Sequence, residues 1–131
     1  MPENPSNPAS PDEAPTSSVT SAVRDLADIP AVEVITRAAV MLMSSAAEKL
    51  GLADADPDQS EYRDLDEARR LITALAGLVN AAHADLGVHR KPLRDGVLAL
   101  QQAFRDASAF PDAPGEGPGE AYTDAPQQRQ S

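Results

Sequence analysis

The sequence predicts an all-α protein: a small antiparallel helical bundle of three long helices and a short N-terminal helix, between disordered tails. Three observations predict it. Apolar residues recur at three- and four-residue spacing in the long segments, which is the period of one helix face. No segment alternates in the manner of a strand. Helix stop and start residues, Gly51, Gly87 and Pro92, punctuate the pattern.

The 131-residue chain carries 11 basic and 21 acidic side chains, a net charge of −10. Its 25 Leu, Ile, Val and Phe residues all lie between Val19 and Phe110, and nine of its 12 prolines lie outside that window. One foldable block thus stands between segments whose burial cannot offset their ordering entropy. Residues 1–17 read as a Pro-rich acidic tail, 18–110 as the bundle domain and 111–131 as a Pro/Gly-rich acidic tail.

The first helix is short, Ser18–Ala27, with Val19, Ala22, Val23 and Leu26 on one face. Asp28-Ile29-Pro30 breaks it and restarts the chain, Asp28 serving as N-cap and Pro30 sitting in the first turn. The second helix covers about Pro30–Leu50 and stops at Gly51. Glu33, Arg37, Ser44 and Glu48 share one narrow stripe of it, and much of the remaining circumference is apolar or small. Such a helix needs cover on two sides, from the short helix or from a second copy of the chain. An acidic loop, Leu52–Arg63, follows. The third helix opens with the capping-box pair Asp64 and Glu67. Its buried arc holds Leu65, Ala68, Leu71, Ile72, Leu75, Leu78, Val79, Ala82 and Leu86, and Asp66 is spaced to pair with Arg69 and Arg70. The fourth helix starts near Pro92, buries Leu93, Val97, Leu100, Phe104 and Ala107, and ends by Phe110-Pro111. Leu98 points the other way, among Arg94, Gln101, Gln102 and Arg105.

Composition excludes several chemistries. With no cysteine there are no disulfides and no thiolate metal sites. The N-terminus has neither a basic nor an apolar leader region, and the longest uncharged stretches are too short to span a bilayer. A cytoplasmic protein with no membrane association is expected. The acid excess opposes direct nucleic-acid binding, which needs a basic field. His83 and His89 lack the i, i+4 spacing of a helical zinc site. Asp54, Asp56 and Asp58 begin like a calcium loop, but Gln59 and Leu65 stand where that loop needs glycine and glutamate. Gly115, Gly117 and Gly119 lack the strand and helix that frame a phosphate loop. No metal, no cofactor and no catalytic residues are expected.

His89-Arg90-Lys91-Pro92-Leu93-Arg94 places cations at a helix N-terminus, against its dipole. Arg90, Lys91 and Arg94 are therefore candidates for contact with an anion or with the acidic tail. An ion-pair cluster with Asp25, Asp28 and Glu33 is the structural alternative that antiparallel topology suggests.

The foldable block resembles a bacterial family known as domain of unknown function 1844, and its tail resembles that of actinobacterial members. The likeness runs through Asp28-Ile29-Pro30-Ala31-Val32-Glu33-Val34-Ile35 and Leu42-Met43-Ser44-Ser45-Ala46-Ala47. It continues through Asp64-Leu65-Asp66-Glu67-Ala68 with Leu71-Ile72, then Leu93-Arg94-Asp95-Gly96 and Ala103-Phe104-Arg105, covering about residues 23–110. It implies a small helical cytosolic protein and carries over no catalytic residue. Relatives are often encoded beside genes for translation initiation factor three and ribosomal proteins.

The reading is a non-catalytic interaction module with a protein partner or a second copy, a homodimer. Val34, Met41 and Leu98 are its candidate partner contacts. A translation-linked accessory factor, associated with the ribosome or an initiation factor, is the alternative. A small ligand-binding protein or enzyme with a pocket between helices, using His83 and Asn80, is the third reading.

Overall fold

Helix α1, Ala31–Lys49, matches the second predicted helix to within a residue at each end. The computed structural model describes residue 19 and residues 26–123. The chain divides into two units, residues 1–33 and 34–131. In the first, Leu26 and Ala27 are helical, and the Ile29 N–H donates to the Leu26 carbonyl at 3.1 Å. Helix resumes after Pro30, whose carbonyl accepts from the Glu33 N–H at 2.9 Å. Asp28 therefore stands in the preceding turn and not at the cap of the long helix. Apart from Val19, Leu26 and Ala27, the Ser18–Ala27 segment lies outside the described residues.

In the second unit, α1 ends at Gly51 as expected. Gly51 adopts φ +79°, its N–H donates to the Glu48 carbonyl at 2.9 Å, and the Leu52 N–H reaches back to Ala47 at 3.0 Å. These are the paired bonds of a Schellman motif. The acidic loop that follows is closed at its neck by the Asp64 N–H, 2.7 Å from the Lys49 carbonyl. Arg63 pairs with Asp58 inside the loop and donates to the Ala107 carbonyl at 2.9 Å.

Helix α2, Leu65–Ala82, begins with the Asp64 cap: Oδ1 accepts from the Glu67 N–H at 3.2 Å. The Glu67 carboxylate is paired with Arg70. Two single 3-10 turns, His83–Asp85 and Gly87–His89, reverse the chain, with Gly87 at φ +55°. Helix α3, Arg90–Ala107, starts early enough to hold Pro92 in its first turn, where a missing N–H costs nothing.

Ala68, Ile72, Leu75 and Val79 of α2 and Leu93, Val97, Leu100 and Phe104 of α3 are buried as predicted where the two helices pack together. Ala76 joins them, while Leu65, Leu71, Leu78 and Ala107 are only half-buried. Fully burying a side chain such as Ile72 or Leu75 contributes about 1.5–3 kcal/mol. Helix α1 buries Ala39, Ala46 and Leu50. Its Met43 lies against Gly96 of α3 so closely that a Cβ there would overlap the end of the methionine.

The C-terminal reading is corrected. Residues 111–123, expected to be disordered, lie folded on α2 and α3 as a strap that ends in a short helix α4, Glu120–Thr123. Residues 124–131 lie outside the described residues. Arg69 holds both carboxylate oxygens of Asp112, at 3.1 and 3.0 Å, with its guanidinium 4.9 Å from the centre of the Phe104 ring. Arg105 donates to the Asp112 carbonyl at 2.7 Å and to Glu120 Oε2 at 2.6 Å. The other Glu120 oxygen accepts from the Gly115 N–H at 2.8 Å, and Gln101 donates to the Pro118 carbonyl at 3.0 Å. Gly119, at φ +73°, lets the backbone lie on α2. A Cβ there would stand 2.5 Å from Ala76 Cβ and 3.2 Å from the Ile72 carbonyl.

Three further expectations change with the strap. Gln101, read on the wet side of its helix, is buried. Arg105, its neighbour there, is engaged with the strap. Arg69, expected to pair with Asp66, pairs with Asp112 instead. Apolar content failed as a guide here because the strap is held by charge-assisted and backbone hydrogen bonds, and those partners lie distant in sequence.

Candidate functional site

A helix on the outside of a domain buries one stripe and leaves the opposite face polar. Helix α1 does the first and only half of the second. Val34, Ala38 and Met41 recur at four- and three-residue spacing, so with Ser45 they occupy about 60° of its circumference. Val34, Ala38 and Met41 are exposed, Met41 at 73%. Ile35 and Leu42, half-buried, widen the apolar strip on one flank. Arg37 and Glu48 lie along the other flank, and both are exposed.

Two of the three predicted partner contacts, Val34 and Met41, are thus brought together on one stripe. Leu98 is exposed as predicted, at 39%, but it belongs to another place. It borders a shallow groove on α3 with Gln102, Pro114 and Gly115, beside the strap. On α3 that groove lies about half a turn around the helix from Gly96, where α1 packs.

The basic turn resolves into three separate roles. Arg90 Nε donates to the His83 carbonyl at 3.0 Å and so ties the turn to the start of α3. Lys91 pairs with Asp95 one turn along its own helix, at 2.8 Å, which offsets part of the unfavourable dipole contact. Arg94, half-buried, lines a cleft of about 410 Å³ between α2 and α3, with Asn80, His83 and Tyr122. Asp112 and Glu120 of the strap meet Arg69 and Arg105, two arginines absent from the predicted anion contacts. Arg105 carried only a weak signal, since its acidic partner Glu120 lies 15 residues on and its bond to Asp112 is to the backbone carbonyl. Arg69 carried none, because its partner is 43 residues away. Asp25, from the alternative ion-pair cluster, lies outside the described residues.

Among the described residues, no group of three or more His, Asp or Glu side chains is placed to hold a metal ion. Within the same residues no helix is long and apolar enough to cross a membrane. Both histidines are exposed. No curated protein and no solved structure matches the chain. A family model does match, over residues 31–106, from the start of α1 to the last turn of α3. The chain belongs to the family described as Domain of unknown function (DUF1844).

Proposed function

We propose that the protein is a non-catalytic interaction module that associates with a second copy of itself through helix α1. The observation that carries this reading is the exposed apolar stripe Val34, Ala38 and Met41, flanked by Ile35 and Leu42. Burying apolar side chains contributes roughly 25 cal/mol per Å², so an uncovered stripe favours association. Ala38 lets two helices approach closely.

Charge favours a second copy over an unrelated partner. Arg37 and Glu48 lie on the same flank, eleven positions apart, about one residue from symmetric around Leu42. An antiparallel two-fold pairing centred near Leu42 would bring each Arg37 beside the partner's Glu48, as an isologous interface requires. A parallel pairing would set them on opposite flanks. The helix is roughly 28 Å long. A single helix seam of that length falls below the standard interface of about 1,600 Å². The expected dissociation constant is therefore in the micromolar range.

Sedimentation of the full chain between about 1 and 200 μM tests the reading. A monomer–dimer equilibrium that Met41→Glu abolishes, with unchanged helical content, is expected. A strictly monomeric chain throughout that range excludes self-association through α1.

A further inference from the structure

We propose that the cleft between α2, α3 and the strap binds a small amphipathic anion, an apolar body bearing one carboxylate or phosphate head. The floor of the cleft is apolar, formed by Ala76, Val79 and Val97. Its polar groups, Asn80, His83, Arg94, Tyr122 and Thr123, belong to α2, the turn, α3 and the strap, so four parts of the fold converge there. Its volume, about 410 Å³, lies within the ~300–1,000 Å³ of small-molecule sites, which share this pattern of apolar walls and few polar groups.

Arg94 sets the charge of the ligand. Arg63, Arg69, Arg70, Arg90, Lys91 and Arg105 each have a hydrogen-bonding or ion-pair partner. Arg94 has none among the described residues, although it is half-buried. Its guanidinium stays solvent-accessible at the cleft and unengaged, and its planar donors match carboxylate and phosphate oxygens. Asn80 stands at the same rim to complete the contacts of an anionic head. Arg90, bonded to the carbonyl of the cleft residue His83, adds positive potential beside it in a chain of net charge −10. Tyr122 forms the wall contributed by the strap. Its ring packs over Gly77, where an added Cβ would be 3.5 Å from the ring carbons. The cleft involves no residue of the α1 stripe, so it stands or falls apart from self-association.

Titration of the full chain with octanoate, octyl phosphate and 1-octanol tests the proposal, read by calorimetry and by methyl chemical shifts. Both anions are expected to saturate one site, shifting the Val79 and Val97 methyls, with 1-octanol at least about tenfold weaker. The stronger of the two anions identifies the preferred head group. Arg94→Gln is expected to weaken both anions about tenfold and leave 1-octanol unchanged. Tyr122→Ala is expected to weaken all three alike. The proposal is overturned by absence of saturable anion binding up to about 5 mM. Anion affinity unchanged in Arg94→Gln overturns it too, as do shifts confined to the Val34 and Met41 methyls.

Discussion

Helix α1 and the C-terminal strap invert what their compositions suggest. The helix is rich in apolar residues and leaves a stripe of them in water. The strap is acidic and rich in proline and glycine, yet it folds, with Glu120 buried. What separates the two is the presence of a partner. Arg69, Gln101 and Arg105 offer the strap directional donors, and charge-assisted bonds hold a short segment that has little apolar area. The outer stripe of α1 is apolar and has no covering surface among the described residues of its own unit. Order follows from the complementarity of two surfaces, and apolar content is one way of supplying it.

Both regions rest on the α2–α3 seam, so the sharpest separation comes from damaging that seam first. Leu75 is fully buried in it. Leu75→Ala removes its transfer free energy and leaves a cavity, a loss of about 3 kcal/mol. Chemical denaturation is expected to show this as a lower midpoint for the whole unit. If the strap and α1 melt at different denaturant concentrations in this variant, they do not share the seam's cooperativity.

Gly119→Val gives the second largest effect and touches the strap alone. It places a β-branched residue at φ +73° and drives a side chain into Ala76 and the Ile72 carbonyl. The strap can escape by detaching, so the global cost is capped at the free energy that docks it. Amide exchange at Gly115, whose N–H is bonded to Glu120, is expected to accelerate by tenfold or more, about 1.4 kcal/mol of local stability. Exchange at Leu75 is expected to stay unchanged. Equal acceleration at both would show that the strap is part of the core and would remove the contrast with α1.

The helices were legible because each is written locally. Period, the Gly51 stop, the Asp64 cap and the Pro92 start all lie within a turn of the structure they specify. The family match was legible for the same reason, through short blocks in order. The strap was not, because its contacts join residue 69 to 112 and residue 101 to 118, and no local pattern encodes such pairs. The cleft was half legible. His83, Asn80 and Arg94 were each marked, but for two different readings. Only the reversal through two 3-10 turns brings them to one rim, and Tyr122 arrives with the strap.

The smallest expected effect decides how α1 is covered, because it separates a second copy from any other apolar partner. Arg37→Glu would set like charges beside the partner's Glu48 at both ends of an antiparallel seam. Exposed pairs contribute about 0.2–1 kcal/mol each. Two symmetric pairs therefore predict a dissociation constant roughly 2- to 30-fold weaker, measured by sedimentation at low salt. Glu48→Arg should do the same alone, and the double variant should restore the original value. Salt near 0.5 M should shrink all these differences, since the pairs are exposed. Restoration in the double variant is the informative outcome. A partner other than a second copy would see two reversed charges and have no reason to bind as before.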